Sequence, residues 1–180
     1  LLNKAFETGL KEDLNFKSDT GNALKSLSEI ANSSGADGMV GGQVVDMFGM
    51  EKISCIEDLR YMYSLKTGAI IKSSVQAGAL LGGADEIQLK SLGDYAEKIG
   101  LAFQIEDDIL DVTGNLEKLG KSIGSDAANN KITYLTFVSL EEAQRQVDQL
   151  TEKAAGNLRI FGDKAAYLIE LAKYLTNRDH

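Results

Sequence analysis

Apolar residues recur three or four positions apart through most of the chain, whereas alternation with a period of two is hard to find. This spacing is typical of helices that bury one face. It predicts helices at residues 1–13, 18–33, 36–48, 54–81, 86–113, 139–155 and 161–177. We therefore expect an all-α fold in which residues 1–180 form a single domain.

Two of the predicted helix starts have the composition of a capping box, in which a hydroxyl and an acidic side chain accept hydrogen bonds from exposed backbone N–H groups. Ser54 with Glu57, and Ser139 with Glu142, have the required spacing. These pairs predict where the fourth and sixth helices begin.

The sequence "GGAD" at residues 82–85 separates the two longest predicted helices. Glycine ends a helix readily, and Asp85 can cap the helix that follows. Because the connection is short, we expect the helices at 54–81 and 86–113 to pack side by side and antiparallel.

Composition excludes several classes of partner and site. The formal net charge is −8, with 19 Lys and Arg against 27 Asp and Glu, and no block is rich in Lys or Arg. We therefore expect no nucleic-acid partner and no anionic membrane surface. One cysteine, Cys55, and one histidine, His180, exclude an internal disulfide and a Cys- or His-based metal cluster. We expect a cytoplasmic protein without stable membrane insertion, because no apolar run is long enough.

The sequence "FQIEDDILDV" at residues 103–112 combines acidic residues with an apolar run. At about 100° per residue, Gln104, Asp107, Asp108 and Asp111 share one arc of the helix about 100° wide, and Glu106 falls outside it. We call these four residues the acidic stripe. Much of the remaining circumference is apolar, so we expect the stripe to line a polar cavity within the bundle.

Asp107 and Asp111 are like charges one helical turn apart, an arrangement that destabilises a helix unless a cation compensates. Oxygen ligands without His or Cys favour a hard cation. Mg²⁺ typically takes one or two protein carboxylates and completes its shell with water and substrate phosphates. The stripe therefore predicts Mg²⁺ and a phosphate-bearing substrate. The alternative is a solvated acidic turn, salt-bridged to a neighbouring helix.

Lysines near these positions suggest a partner for the phosphates. Lys66 and Thr67 interrupt a stretch of small and apolar residues, where a buried ammonium is costly without an anion. Lys121 lies in the Gly-rich stretch 113–130, which lacks helical periodicity, and Lys131 follows it. Each lysine alone is also consistent with an ordinary solvated charge. Together with the stripe they predict a diphosphate clamp.

Four ordered motifs resemble those of the trans-isoprenyl diphosphate synthases, or polyprenyl synthetases, and within them the bacterial farnesyl diphosphate synthase type. The motifs are "GMVGGQVVDM" from Gly38, "KTGAI" from Lys66, "FQIEDDILD" from Phe103 and "LGKSIGSDAANNKITY" at 119–134. The resemblance covers almost the whole chain. It implies a helical bundle of the isoprenoid (terpenoid) synthase type and a prenyltransferase.

By this resemblance, Mg²⁺ bound by Asp107, Asp108 and Asp111 would bridge the diphosphate of an allylic substrate, geranyl or dimethylallyl diphosphate. The residues expected to contact or position that diphosphate are Lys66, Thr67, Gln104 and Lys131, with Lys121 on a closing loop. The implied reaction joins isopentenyl diphosphate to the allylic substrate and yields farnesyl diphosphate. A homodimer is also implied.

The family has a first aspartate-rich motif before the region that "LLNKAFE" resembles, and residues 1–180 contain no second D-D-x-x-D. We therefore expect the chain to be the C-terminal part of a polyprenyl synthetase domain, without its N-terminal helices and inactive alone. The alternatives are a non-catalytic helical subunit that pairs with a full-length synthase, a synthase of longer geranylgeranyl or polyprenyl products, and a class I terpene cyclase.

Overall fold

The computed structural model describes residues 2–11, 19–113 and 131–176, and this part of the chain contains helices and no strand. The α-helices are α1 (Leu2–Gly9), α2 (Thr20–Ser34), α3 (Met39–Phe48), α4 (Ile56–Tyr63), α5 (Ala69–Leu81), α6 (Glu86–Thr113), α7 (Leu140–Asn157) and α8 (Ala166–Thr176). Segments of 3₁₀-helix occupy Met50–Lys52, Tyr134–Thr136 and Leu158–Ala165. The predicted all-α fold is confirmed, and each predicted helix has a counterpart.

The predicted helix at 54–81 is continuous but not regular. Between α4 and α5 it passes through a π-helix at Ser64–Gly68, which we call the π-turn. A π-helix accommodates an additional residue in the turn, and such segments are rare and frequent at functional sites. Periodicity alone does not indicate it, because the residues on either side of the π-turn form ordinary α-helix.

The two longest predicted helices pack antiparallel, as predicted. Successive side-chain contacts between them join Lys72 to Glu97, Thr67 to Gln104, and Tyr63 to Asp108. Residue numbers fall on one helix as they rise on the other, so the helix of α4, the π-turn and α5 runs against α6. This arrangement brings the π-turn to the acidic stripe.

Asp85 caps α6 as predicted. Its Oδ1 accepts from the backbone N–H of Gln88 at 2.8 Å, and its own N–H donates to Gln88 Oε1 at 3.0 Å. At α7 the hydroxyl of Ser139 accepts from the backbone N–H of Glu142 at 3.2 Å. The Glu142 side chain instead accepts from Gln146, so only the hydroxyl half of that predicted box is present.

The capping box predicted from Ser54 and Glu57 is wrong. The helix begins at Ile56, and Cys55 is its N-cap residue. The Oδ2 atom of Asp58 accepts from the backbone N–H groups of Ser54, at 3.0 Å, and Cys55, at 3.3 Å. These hydrogen bonds, that from the Ser54 backbone first, lower the pKa of Asp58 from its usual value. Asp58 is preferred because it lies one residue nearer the helix interior than Glu57, at the third helical position.

Helix α6 runs through two clusters of buried side chains. The first combines α4, the C-terminal half of α6 and α7 through Leu59, Met62, Tyr63, Ala102, Ile105, Ile109, Tyr134, Ala143 and Val147. The second combines the N-terminal half of α6 with α7 and α8 through Leu92, Tyr95, Ala96, Ile99, Ala154, Leu158, Ala165 and Ala172. No helix within the described residues is long and apolar enough to span a membrane.

Candidate active site

Two helices approach the π-turn at glycine residues. A Cβ atom at Gly42 of α3 would lie 2.3 Å from the backbone nitrogen of Lys66. A Cβ atom at Gly100 of α6 would lie 3.2 Å from the Cα of Gly68. Only the absence of a side chain lets these backbones come so close. The backbone of the π-turn is therefore held between α3 and α6, and this fixes the positions from which its side chains extend.

Lys66, on the π-turn, forms an ion pair with Asp46 of α3, and the Nζ–Oδ2 distance is 2.5 Å. The two side chains are only 29% and 12% exposed. The second carboxylate oxygen of Asp46, Oδ1, is buried and has no hydrogen-bond partner among the described residues. Asp46 was not among the residues predicted for the site. Its signal in the sequence is a single acid within the apolar run "GGQVVDMF".

Thr67 links the π-turn to the acidic stripe. Its hydroxyl donates a hydrogen bond to Oε1 of Gln104 on α6. Lys66 adjoins Thr67 in the chain, and Asp107 lies one helical turn beyond Gln104. The structure thus brings two of the predicted site segments, "KTGAI" and "FQIEDD", together at a direct hydrogen bond.

The members of the acidic stripe differ in burial. Asp108 and Asp111 are 5% and 6% exposed, whereas Asp107 and Gln104 are partly exposed. Glu106, which the helical geometry places outside the stripe, is also buried. The apolar residues beside the stripe, Ile105 and Ile109, lie in the first core cluster. The helix therefore faces protein on much of its circumference, as predicted.

Asp108 joins three parts of the structure. Its Oδ2 accepts a hydrogen bond from the Tyr63 hydroxyl of α4 at 2.5 Å and another from the backbone N–H of Tyr134 at 2.7 Å. The Tyr134 hydroxyl in turn hydrogen-bonds with Arg60 and Gln146. Neither Tyr63 nor Tyr134 was predicted to belong to the site, because nothing in their local sequence marks a buried hydroxyl.

Lys131 is partly buried and lies three residues before Tyr134. Its backbone segment is thus connected to α6 through the hydrogen bond between Tyr134 and Asp108. Lys121 lies outside the described residues, and its role on a closing loop stays a prediction.

One cavity among the described residues has a volume of about 750 Å³, and no residue of the acidic stripe lines it. Its lining includes Gly68 and Leu101 but not their neighbours Lys66, Thr67 or Gln104. The expectation that the stripe lines a cavity is therefore not met by this one. The contacts between the π-turn and α6 define the candidate site instead.

The carboxylate oxygens of the stripe suit a hard cation that takes only some of its ligands from the protein. Within the described residues, no three Asp, Glu, His or Cys side chains converge on a point where they could hold a metal ion. Asp107 and Asp111 lie one turn apart on α6 and offer carboxylate oxygens only. Mg²⁺ usually takes one or two carboxylates and keeps water or phosphate oxygens as its other ligands, so these residues fit Mg²⁺ better than a metal that needs a closed cage.

Comparison with known proteins identifies the family. The polyprenyl synthetase family pattern matches residues 5–172. The chain is 43% identical over 160 residues to the farnesyl diphosphate synthase of Geobacillus stearothermophilus, which covers 87% of this chain and 53% of that protein. It is 39% identical over 181 residues to the geranylgeranyl diphosphate synthase of Cyanophora paradoxa, covering 100% of this chain and 60% of that protein. The chain belongs to the polyprenyl synthetase family.

Solved structures agree with this assignment. An FPP/GFPP synthase from Zymomonas mobilis superposes with a TM-score of 0.81 at 33% identity, over 96% of this chain and 57% of that one. A geranyltransferase from Helicobacter pylori, complexed with magnesium and isoprenyl diphosphate, gives 0.78 at 27% identity, over 97% and 56%. The fold is the all-α isoprenoid synthase fold predicted from the sequence. The chain spans about half the length of the curated relatives it matches.

Proposed function

We propose that the chain forms the diphosphate-holding half of a Mg²⁺-dependent prenyltransferase. In this proposal the enzyme joins isopentenyl diphosphate to geranyl or dimethylallyl diphosphate and makes farnesyl diphosphate. The observation that carries the proposal is the hydrogen bond between Thr67 and Gln104, which brings the Lys66 segment to the helix of the acidic stripe. The solved relative that binds magnesium and isoprenyl diphosphate supports the choice of ligands.

The residues divide into two groups by chemistry. Asp107 and Asp111 would hold Mg²⁺, whose positive charge neutralises the diphosphate as it leaves. Lys66 and Gln104 would donate hydrogen bonds to the remaining phosphate oxygens, together with Lys131 and Lys121, and Thr67 would position Gln104 through its hydroxyl. The ammonium groups stabilise the negative charge that develops on the leaving group, because they are fixed before the reaction begins.

In the proposed reaction the C–O bond of the allylic diphosphate breaks, and its electron pair leaves with the diphosphate. The double bond of isopentenyl diphosphate supplies the electrons of the new C–C bond, and the condensed chain then loses a proton. Donors fixed on the π-turn and α6 favour the first step because they bind the departing diphosphate more strongly than the esterified one.

The proposal is tested by titrating the 180-residue chain with inorganic pyrophosphate in the presence and absence of Mg²⁺, using calorimetry. We expect Mg²⁺ to strengthen binding at least about tenfold, and the double variant Asp107→Asn, Asp111→Asn to lose that effect. Asp148→Asn, at an exposed position of α7, is the matched control. Binding that does not depend on Mg²⁺, or a control that behaves like the double variant, would contradict the proposal.

We further propose that the 180 residues alone do not turn over the two substrates, because the sequence contains one D-D-x-x-D motif. The assay combines this polypeptide with Mg²⁺, dimethylallyl diphosphate and isopentenyl diphosphate, and measures release of pyrophosphate. Turnover at the usual enzymatic rates would refute this proposal.

We also propose that the enzyme is a homodimer and that it is located in the cytoplasm.

A longer product is the second candidate. The match to a geranylgeranyl diphosphate synthase extends over 100% of the chain at 39% identity, close to the value for the farnesyl type. The residues described above act on the diphosphate and not on the hydrocarbon tail, so they serve either product. Analysis of the product chain length distinguishes the two candidates.

A further inference from the structure

Three segments that are distant in sequence meet at one oxygen atom in the core. Oδ2 of Asp108 accepts from the Tyr63 hydroxyl at 2.5 Å and from the backbone N–H of Tyr134 at 2.7 Å. All three residues are buried, with exposed fractions of 5% for Asp108, 5% for Tyr63 and 0% for Tyr134. Hydrogen bonds to an ionised carboxylate at such a site are strong and short.

This geometry commits Oδ2 to the protein. A carboxylate oxygen has two lone pairs, and at Oδ2 both are taken by the Tyr63 hydroxyl and the Tyr134 N–H, which leaves no lone pair of this oxygen for a cation. The same hydrogen bonds orient the carboxylate, because the two donors come from different elements, the end of α4 and the 3₁₀-helix at Tyr134–Thr136. Asp108 therefore differs from Asp107 and Asp111, although all three lie on the same stripe.

The side chain of Tyr134 is held in place as well as its backbone N–H. The Tyr134 hydroxyl accepts from Arg60 Nε at 3.0 Å, and the Arg60 guanidinium carbon lies 5.5 Å from the centre of the Tyr134 ring. Gln146 of α7 also hydrogen-bonds with this hydroxyl. Lys131 lies three residues before this fixed point, so its distance from α6 is limited by the length of three residues.

We infer that Asp108 is a positioning residue and not a metal ligand: through Tyr63 and Tyr134 it fixes the segment that carries Lys131 against α6. The inference rests on the proposed function, since it assigns Lys131 to the same diphosphate. It narrows the metal ligands of the stripe to Asp107 and Asp111. Tyr63 becomes a second positioning residue, because its hydroxyl shares the oxygen that holds Tyr134.

The first test needs no ligand. Exchange of the Tyr134 backbone amide is followed by NMR in the wild-type chain and in Tyr63→Phe, which removes one donor to Asp108. We expect exchange to be slow in the wild type and about tenfold faster in Tyr63→Phe. Tyr95→Phe is the matched control, because the Tyr95 hydroxyl is also buried and donates to the Leu168 carbonyl at 2.7 Å. Unchanged exchange in Tyr63→Phe overturns the inference.

The second test measures pyrophosphate affinity with Mg²⁺. Asp108→Asn keeps an oxygen acceptor of the same shape, so we expect its affinity to stay within about threefold of wild type, whereas Asp107→Asn loses about tenfold or more. An Asp108→Asn loss as large as that of Asp107→Asn overturns the inference. Absence of Mg²⁺-dependent binding in the wild type instead contradicts the proposed function, and the amide exchange then decides the inference alone.

The third test distinguishes positioning from general support of the fold. We expect Tyr63→Phe to weaken pyrophosphate binding about fivefold in the wild-type background and to have no effect in a Lys131→Ala background. Such non-additivity arises only if Tyr63 acts through Lys131. Equal losses in both backgrounds show a purely structural role and overturn the inference.

Discussion

Gly42 of α3 lies so close to the backbone of Lys66 that its substitution by alanine gives the sharpest prediction. In Gly42→Ala the new Cβ would lie 2.3 Å from the nitrogen, 2.6 Å from the Cα and 2.8 Å from the Cβ of Lys66. Carbon atoms in ordinary contact are about 3.5–4.0 Å apart, so α3 must withdraw from the π-turn by roughly 1 Å. That movement also parts Asp46, on α3, from Lys66.

The magnitude follows from two opposed effects. Replacing a helical glycine by alanine stabilises a helix by about 1 kcal/mol. Overpacking costs about 1–3 kcal/mol and more where backbone has to move. Because all three contacts at position 42 involve atoms fixed by the π-turn, we expect a net loss of about 2 kcal/mol in the free energy of unfolding.

Gly78→Ala is the matched control for this prediction. Gly78 is an exposed residue within α5, and no heavy atom lies within 4 Å of the position its Cβ would take. We expect this variant to gain up to about 1 kcal/mol. Urea unfolding followed by circular dichroism measures the free energy of unfolding of both variants. On heating, their melting temperatures should differ by roughly 6–12 °C. A Gly42→Ala variant as stable as the wild type would refute the account of the π-turn as a closely packed segment.

Three further outcomes are expected. Asp46→Asn leaves the half-buried Lys66 ammonium without its counter-ion and should lower the free energy of unfolding by about 1–2 kcal/mol. Asp94→Asn, in an exposed pair with Lys90, should change it by less than about 0.5 kcal/mol. Equal effects of the two variants in urea titrations would contradict the role of burial. Burial raises the pKa of Tyr95 to about 12. The folded chain therefore keeps this proton above pH 10 while the unfolded chain loses it, so stability should fall by about 1.4 kcal/mol per pH unit between pH 10 and 12, and Tyr95→Phe should show a shallower fall. Asp85→Ala should cost about 1 kcal/mol, because the α6 N-terminus loses its cap; no change in the thermal midpoint would contradict the capping assignment.

The parts of the fold that were predictable are those encoded in local periodicity. The boundaries of α6 and the antiparallel packing of the long helices followed from apolar spacing and a glycine break at 82–85. The position of the acidic stripe followed from helix geometry alone. In each of these, residues near in sequence determine the structure, so reading the sequence suffices.

What was missed depends on contacts between distant residues. The π-turn requires glycine at positions 42 and 100, which lie 22 and 32 residues from its ends, so that the backbones of α3 and α6 can approach it closely. Asp46 becomes part of the site only because α3 crosses the π-turn. The bonding of Asp108 is likewise set by Tyr63 and Tyr134, and helical spacing alone could not distinguish it from Asp107.

The π-turn determines how α4 and α5, the two halves of one long helix, are rotated relative to each other about the helix axis. In a regular α-helix Tyr63 and Val75 would be about 120° apart around the axis, yet Tyr63 contacts α6 and Val75 packs on the cluster that α6 shares with α7 and α8. The additional residue of the π-turn compensates by about 100° and lets both ends face α6. Deleting any one residue within 64–68 would give a regular helix in which both ends still face α6, but it would remove the turn that carries Lys66 and Thr67. A relative that lacks one residue in this segment should therefore keep the packing of α4 and α5 on α6 while losing the π-turn itself.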